Sequence, residues 1–333
     1  MISSLDEIGD KMSNSSVNVL IFTYNQENIV KDTIESVINQ SYENISKIII
    51  ADDGSTDKTP TIIKEYARNN PHIEPILAQK NKGIAHNMNR ALKRVNGDYV
   101  SFLDGDDLMF QQKIERQVNY LNANHDLVAC AHDMDVFDSC EGKLQGKFSE
   151  VISFNNIKGN IGVKSILDSS LFICPSSIMY RAEKIPVDGF DTRLTYWYDF
   201  LFIVEVLMKG DMGFIDEVLG SYRLHEANVT SSPAFKELGL ENTLIVYSII
   251  LARYPELYSQ IKKRKSTTYL AKILEYIEDG NNNRAKNLSK ALISEGNIFK
   301  GFAAYLMSLI LNKKIAGNLN KNRKIIKIFL KYT

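Results

Sequence analysis

The sequence is poor in the features that mark secreted, disulfide-bonded or membrane-spanning chains. Its three cysteines, Cys130, Cys140 and Cys174, include no C-x-x-C pair, so we expect reduced thiols in a cytosolic protein. The longest nearly apolar run, Leu244 to Ala252, is far shorter than the roughly 20 residues that cross a bilayer. Residues 1–16 contain no apolar segment, and we therefore expect no secretory signal.

Glycine-rich phosphate motifs and an excess of one charge are also missing. Neither G-x-G-x-x-G nor G-x-x-x-x-G-K-[ST] occurs, which removes the basis for a dinucleotide-binding or P-loop protein. The formal net charge is zero, but residues 296–333 hold eight Lys or Arg and no Asp or Glu. The first 295 residues therefore carry a net −8, from 32 basic and 40 acidic side chains. We expect no nucleic acid as a partner, whereas the basic tail suits an anionic surface.

Short β-type runs alternate with helical patterns over the first 131 residues. This alternation predicts βαβ units and an α/β, Rossmann-like domain, with a mostly parallel sheet flanked by helices. The last hundred residues follow one helical pattern after another, with few β-type runs. The predicted strands are Val17–Phe22, Ile48–Ala51, Ile73–Ala78, Tyr99–Leu103 and Asp126–Ala131.

Three segments follow from this pattern. We predict a flexible N-terminus (1–16), an α/β domain (17–232) and a helical C-terminal region (233–333). At the end of that region the lysines and the apolar residues fall on opposite sides of a helix. Residues 313–333 are thus suited to an anionic membrane surface, although a helix packed on its neighbours with a solvated lysine side fits equally well.

Acidic clusters follow two of the predicted buried strands. Asp52 and Asp53 come after the second strand, and Asp104, Asp106 and Asp107 come after the fourth. The carboxyl ends of parallel strands meet at one edge of a sheet, where ligands bind. An Asp-x-Asp pair can hold a hard divalent cation that also binds phosphate oxygens. The alternative is a polar turn in which Asp107 only caps a helix.

Several ordered motifs between residues 17 and 230 together resemble the family 2 glycosyltransferases. The motifs are Thr23-Tyr24-Asn25, Asp52-Asp53-Gly54-Ser55-Thr56-Asp57, Asn81-Lys82-Gly83, Gly97-Asp98-Tyr99, Phe102-Leu103-Asp104-Gly105-Asp106-Asp107, Gly189-Phe190-Asp191, Asp199 and Tyr222-Arg223-Leu224-His225. The resemblance implies a GT-A fold and an inverting transferase that uses a nucleotide-activated sugar. It does not extend to the C-terminal helices.

The resemblance also assigns roles to individual residues. It implies that Asp104, Asp106 and His225 bind Mn²⁺ or Mg²⁺, although a satisfied, non-ligating histidine is an alternative for His225. Arg223 would contact the diphosphate or else pair with a carboxylate. The implied nucleotide-sugar site comprises Thr23, Tyr24, Asn25, Asp52, Asp53, Asn81, Gly83, Asp104, Gly105, Asp106 and Arg223.

The same resemblance places the catalytic base at Asp199. Members of the family often carry Glu-Asp at the head of this helix, and here Tyr198 stands where the Glu would be. That departure puts the acceptor preference in doubt more than the base. Simple helix capping by Asp199 is the alternative role, and Asp191 is a second candidate for the base.

We expect a UDP-sugar donor, and a saccharide or polyprenyl-linked saccharide acceptor in polysaccharide biosynthesis. The expected location is the cytoplasm, with peripheral binding to the inner face of the cytoplasmic membrane. One alternative is a sugar-phosphate nucleotidyltransferase, but its usual glycine-rich basic loop is replaced after the first strand by Thr23-Tyr24-Asn25-Gln26-Glu27. Another is a non-catalytic member of a polysaccharide assembly complex, which the complete set of aspartates disfavours.

Overall fold

The computed structural model describes residues 14–151, 159–168, 172–225 and 233–310. The chain divides into two compact units, which meet in sequence between Lys236 and Glu237. Two predictions concern residues outside the described part: most of the flexible N-terminus, and the basic amphipathic helix within 313–333.

Nine strands lie within the described residues, all in the first unit. The first four predicted strands are confirmed to within three residues at each end, whereas the fifth begins at Ala129 and continues to Asp138. The strands are β1 (Val17–Thr23), β2 (Ile45–Asp52), β3 (Ile73–Leu77), β4 (Tyr99–Asp104), β5 (Leu108–Met109), β6 (Ala129–Asp138), β7 (Lys143–Lys147), β8 (Met179–Arg181) and β9 (Met212–Leu224).

Helices separate the first strands of the chain and form the described part of the second unit. The apolar residues of most of these helices recur at helical spacing, which is the pattern that predicted them, whereas the short helices Phe148–Val151 and Val163–Asp168 were not predicted. The helices are α1 (Val30–Ile38), α2 (Thr59–Asn69), α3 (Ile84–Leu92), α4 (Lys113–Ala123), α5 (Phe148–Val151), α6 (Val163–Asp168), α7 (Tyr198–Leu207), α8 (Pro233–Arg253), α9 (Tyr258–Glu278), α10 (Asn282–Ser294) and α11 (Ile298–Ile310).

Half of the sheet is parallel, in the order β3, β2, β1, β4. The last five residues of β2 are all buried, as its continuous apolar run predicts for a strand covered on both faces. The register pairs Thr23 with Asp52 and Phe22 with Asp104. Three strands therefore end side by side, with their polar residues at one edge of the sheet.

The other half of the sheet is mixed. Strand β8 lies antiparallel between β4 and β6, and β9 runs parallel to β6 but antiparallel to β5. With three residues, β8 is too short to produce a periodic pattern, so the sequence suggested a more parallel sheet. Because β5 pairs with β9 at Leu108 and Ser221, the end of β9 lies beside the acidic segment that follows β4.

Helix α7 packs on the sheet through aromatic side chains. The ring of Phe202 stacks on that of Phe190 with centroids 4.1 Å apart, and both rings contact Phe102 of β4. Large aromatic contacts of this kind contribute strongly to core stability. Phe102 lies two residues before Asp104, and Phe202 three residues after Asp199. The cluster therefore holds the start of α7 near the end of β4.

The described part of the second unit consists of helices. Helices α10 and α11 approach closely at Gly301, where a Cβ atom would lie 2.5 Å from Ile293 Cγ1. No helix in the described ranges is both long enough and apolar enough to span a bilayer. The buried core of the unit contains Tyr269, Leu270, Ile273, Ile277, Ala285, Leu292 and Ala304.

Candidate active site

The Asp52 carboxylate orders the turn that follows β2. One oxygen, Oδ2, accepts the N–H groups of Gly54 (3.1 Å) and Ser55 (2.9 Å). The other, Oδ1, accepts the hydroxyl of Thr23 at 3.1 Å and that of Ser55. The side chain is fully buried. Asp52 therefore ties the ends of β1 and β2 together, and its contact with a nucleoside stays a prediction.

Asp53 joins this turn to the segment that precedes α3. Its two oxygens accept the backbone N–H groups of Lys82 (3.0 Å) and Gly83 (2.8 Å). The side-chain oxygen of Asn81 accepts from the same Gly83 N–H at 3.0 Å. The predicted residues Asp53, Asn81 and Gly83 thus form one hydrogen-bonded corner, in which protein donors already engage both Asp53 oxygens.

The loop after β1 supplies the exposed side of this corner. Asn25 has a left-handed backbone (φ 51°), donates its N–H to Ser55 Oγ at 2.8 Å and accepts the Thr56 N–H at 2.9 Å. Gly54 has φ 74°, and a Cβ atom there would lie 2.6 Å from the backbone of the neighbouring loop, so only glycine fits. The Tyr24 side chain is exposed beside this loop.

We expect Asp52→Asn to lower the free energy of unfolding by about 1–3 kcal/mol, because an amide NH₂ group would face donors that lose their acceptor. Denaturant unfolding of the ligand-free protein measures the loss. Asp188→Asn is the matched control, because this exposed aspartate loses the same charge, and we expect a change of at most about 0.5 kcal/mol. Equal losses in both variants would contradict the assigned role of Asp52.

Asp104 and Asp106 lie where β4 ends. The backbone N–H of Asp104 donates to Ser176 Oγ at 3.0 Å. A Cβ atom at Gly105 would lie 2.7 Å from a carbonyl oxygen of β1, so the close approach of the two strands requires glycine. Burial, followed by the charges of Asp106 and Asp199, raises the pKa of Asp104 to about 7. The charges of Asp106 and Asp199 therefore act on Asp104, and a bound cation would offset them.

Asp107 and Arg223 connect this acidic segment to β9. Asp107 is buried, and its Oδ1 accepts the Arg223 N–H at 3.0 Å. Arg223 Nε donates to the Asp106 carbonyl at 2.8 Å, and its Nη2 lies 3.4 Å from Asp32 Oδ2. Arg223 thus pairs with a carboxylate, as one of its two predicted roles requires. Its contact with a diphosphate stays a prediction.

His225 completes the acidic end of the site. Its Nε2 lies 2.8 Å from Asp106 Oδ2, and both side chains are largely buried. No group of three or more ligating side chains surrounds one point within the described ranges of the chain. A cation such as Mg²⁺ commonly takes only one or two carboxylates, its other ligands being water and phosphate oxygens. The chemistry of Asp106 and His225 thus fits a divalent cation that takes its other ligands from water and phosphate, and their role as metal ligands stays a prediction.

Asp199 lies at the start of α7, directly after a strained turn. Trp197 has a left-handed backbone (φ 63°), which is a strained conformation for a bulky non-glycine residue. Asp199 Oδ1 accepts the Phe200 N–H at 2.8 Å, and burial raises the pKa of the Asp199 carboxyl. The second candidate base, Asp191, is held by Arg193 at 2.5 Å and 2.8 Å. A guanidinium group thus engages Asp191, and the role of Asp199 as the base stays a prediction.

Tyr198 lies among the same acidic groups. Burial, and then the charges of Asp199, Asp104 and Asp106, raise the pKa of its phenol well above the ordinary value. Its ring contacts that of Phe190 edge-on, with centroids 6.0 Å apart. A neutral hydroxyl group therefore stands beside the candidate base.

We expect Asp104→Asn to stabilise the ligand-free protein at about pH 8 and not at about pH 5. The pKa of Asp104 is about 7 in the native state, above the ordinary value that applies to the unfolded state. At a pH between these two pKa values, the native state therefore binds more protons than the unfolded state. The stability that Asp104 contributes is therefore full below its ordinary pKa, and it is lost as the pH rises through about 7. Asparagine cannot ionise and avoids that loss.

Thermal unfolding in EDTA at the two pH values measures this effect. We expect a rise of about 2–4 °C in Tm for each kcal/mol recovered at the higher pH. Mn²⁺ should stabilise the wild type more than the variant, because the cation favours the ionised carboxylate. A variant that is less stable than the wild type at both pH values would contradict the prediction.

The fold brings most predicted site residues into two adjoining groups. One group surrounds the ends of β1 and β2, and the other contains Asp104, Asp106, Asp199 and His225. Sequence patterns missed the groups that hold these residues in place, among them Asp32 and Ser176. No local motif links Asp107 to an arginine more than a hundred positions later, so only the sheet pairing reveals that bond.

Sequence comparison gives consistent matches. A model of the family described as glycosyl transferase family 2 matches residues 18–186. The putative glycosyltransferase EpsE of Bacillus subtilis is 38% identical over 244 residues, which cover 71% of this chain and 82% of that protein. An uncharacterized glycosyltransferase of Rickettsia typhi is 27% identical over 323 residues, covering 94% and 95%.

Solved structures with the same fold include two proteins in complex with a nucleotide or a nucleotide sugar. Staphylococcus aureus TarS (residues 1–349), in complex with UDP, superposes with a TM-score of 0.61 and 16% identity, covering 88% of this chain and 90% of that one. The mannosyltransferase PcManGT of Pyrobaculum calidifontis, with GDP-Man and Mn²⁺, gives 0.57 and 15%, covering 92% and 86%. The chain thus belongs to glycosyl transferase family 2, as a glycosyltransferase with the GT-A fold.

Proposed function

We propose that the protein is an inverting glycosyltransferase that moves a sugar from a nucleotide-sugar donor, a UDP-sugar, to a hydroxyl group of an acceptor. The observation that supports this most is the convergence of Asp104, Asp106 and Asp199, whose charges interact although Asp199 lies more than 90 positions away in sequence. This arrangement offers acidic groups both for a cation with its diphosphate and for a proton. The relatives with bound nucleotides agree with a nucleotide-sugar donor.

The donor would lie along the ends of β1, β2 and β4. The exposed Tyr24 and Asn25 would contact the nucleoside, and the loops ordered by Asp52 and Asp53 would shape its pocket. Asp104 would take the ribose hydroxyls, and Arg223 would lie towards the diphosphate. We infer these placements because β1, β2 and β4 end side by side at one edge of the sheet.

Asp106 and His225, with Asp104 beside them, would hold Mn²⁺ or Mg²⁺. When bound there, the divalent cation neutralises the negative charge of the diphosphate leaving group. Asp106 and His225 are already within hydrogen-bond distance of each other, so little movement of the chain is needed to present both side chains to one ion. In the absence of a cation, burial and then the charges of Asp106 and Asp199 raise the pKa of Asp104.

Asp199 would act as the general base. As the acceptor oxygen attacks the anomeric carbon, its proton passes to the Asp199 carboxylate, and the bond from that carbon to the diphosphate oxygen breaks. A single displacement of this kind inverts the anomeric configuration. Burial raises the pKa of Asp199, which makes its carboxylate a stronger proton acceptor near neutral pH.

The acceptor would be a saccharide or a polyprenyl-linked saccharide, in the synthesis of a cell-envelope polysaccharide. A lipid-linked acceptor fits a cytoplasmic enzyme that binds peripherally to the inner face of the cytoplasmic membrane. The excess of basic residues within 313–333 supports that location, since anionic leaflets attract such segments.

A panel of UDP-, GDP- and TDP-sugars, tested with Mn²⁺ and with EDTA, tests the proposal. One class of donor should raise Tm and be hydrolysed only with the metal, because ligands stabilise the native state by mass action. NMR of the transferred sugar should show inversion, and retention would contradict the mechanism. Release of pyrophosphate from a sugar phosphate and a nucleoside triphosphate would indicate a nucleotidyltransferase. Failure to bind every donor would indicate a non-catalytic member of a polysaccharide assembly complex.

A further inference from the structure

Helix α11 exposes its large apolar side chains. Ile298, Phe302, Leu306 and Leu309 are between 40% and 62% exposed. Their spacing of four, four and three residues places them on one side of the helix. We call these four residues the apolar stripe. Contiguous exposed apolar surface of this kind is uncommon on a soluble monomer and marks an interaction site.

The opposite side of α11 packs on the core of the second unit through three small residues and Met307. Gly301, Ala304 and Ser308 are buried, and a Cβ atom at Gly301 would lie 3.0 Å from the Ser289 carbonyl oxygen of α10. This helix thus reverses the usual arrangement, in which the large apolar residues face the core. The small residues allow the close contact between α11 and α10. The apolar stripe, on the other side of α11, therefore faces away from α10.

The charges that follow the start of the stripe in sequence are positive, and Glu295, three positions before Ile298, is paired with Lys265 at 2.5 Å. The Lys290 ammonium of α10 lies 6.0 Å from the ring centre of Tyr305, which adjoins the stripe on α11. Lys300 is the one charged residue within α11, and residues 296–333 contain no acidic residue. Apolar side chains bordered by a tyrosine and a lysine are typical of helices that lie in the interface of an anionic membrane.

We propose that the apolar stripe is a docking surface for an anionic lipid membrane, into which its four side chains insert. This deepens the peripheral membrane association of the proposed function and rests on that part of it. The charges favour lipid over the other occupants. A second copy would bring like charges together across a self-complementary contact. Residues 311–333 of the same chain have apolar residues too, but they would bring seven further Lys or Arg next to Lys290, and a stripe that they cover is one outcome of the test.

Co-sedimentation of the full-length protein with vesicles of phosphatidylcholine, with and without phosphatidylglycerol, tests the proposal. The wild type should bind the vesicles that contain phosphatidylglycerol, and more weakly at high salt. The double variant Phe302→Ser/Leu306→Ser should bind them about tenfold or more weakly, because two inserted side chains are lost. Lys290→Gln should reduce binding to these vesicles about fivefold and leave phosphatidylcholine binding unchanged.

The matched control is Leu144→Ser/Val187→Ser, which removes two exposed apolar side chains from the first unit and should bind as the wild type does. Equal binding by the stripe variant and the wild type, or no binding by the wild type, would overturn the proposal. So would a wild-type dimer that the stripe variant converts to a monomer, or a marked fall in Tm in that variant, which would mean that the chain covers its own stripe. Vesicle binding needs no substrate, so a failure here is distinct from a failure of sugar transfer.

Discussion

Asp199→Asn is expected to reduce the rate of sugar transfer by about 10²–10⁴-fold, the usual contribution of a general base. Asparagine keeps the shape of the side chain and can still accept the Phe200 N–H through its oxygen, but it cannot take the acceptor proton. The loss should therefore appear in kcat, while the affinity for the donor, measured by calorimetry, stays close to that of the wild type. Steady-state kinetics with the donor identified by the nucleotide-sugar panel provide the measurement.

Asp191→Asn is the control, because it removes a carboxylate from the same region. Arg193 engages that carboxylate through two nitrogens. We expect this variant to keep most of its activity, with at most a modest loss of stability. If Asp191→Asn were inactive and Asp199→Asn active, the base would have to be reassigned to Asp191.

Asp106→Asn is expected to reduce kcat/KM by roughly 10²-fold or more and to weaken metal-dependent donor binding. The variant loses a charged oxygen at the point where His225 and the end of β4 meet, 2.8 Å from the imidazole. Donor affinity should then depend little on Mn²⁺, and higher Mn²⁺ concentrations should not restore the activity. Calorimetric titration with UDP, with Mn²⁺ and with EDTA, measures the change.

Asp32→Asn is the matched control for Asp106. The Asp32 side chain is largely exposed, and its Oδ2 lies 3.4 Å from Arg223 Nη2. The substitution therefore removes one negative charge from the rim of the site without removing a candidate metal ligand. Exposed ion pairs contribute about 1 kcal/mol or less, and the change in kcat/KM should stay within roughly fivefold. Equal losses in both variants would mean that general electrostatics, rather than a ligand at Asp106, explain the effect.

The parallel half of the fold could be predicted because its pattern is local. Strands such as Ile48–Ala51 are continuous apolar runs, and the helices between the strands have clear periodicity. The mixed half could not be predicted in the same way. Strand β8 has three residues, and β9 takes its place through pairing with β5 and β6, which depends on contacts between distant segments.

The candidate site, like the fold, could be predicted from the sequence only in part. Motif residues at strand ends, such as Asp104 and Asp106, could be placed at one edge because parallel strands end together. The bonds that hold them could not be placed. Asp53 bonds to the backbone of Lys82 and Gly83, and Asp107 to that of Arg223, and backbone partners carry no sequence signature.

The sequence also does not reveal which side of helix α11 is exposed. Its apolar residues predict a helix whichever side faces the core. The close contact at Gly301 decides which side is buried, and that contact depends on the path of α10.

The central claim is that Asp106 and His225 present one metal site to the diphosphate of a sugar nucleotide. Crystals soaked with MnCl₂ and UDP, and measured at the manganese absorption edge, test it most directly. A single anomalous peak in contact with Asp106 and the UDP phosphates, and adjacent to His225, is the predicted result. UDP bound without a peak there, or a peak away from these side chains, would contradict the account.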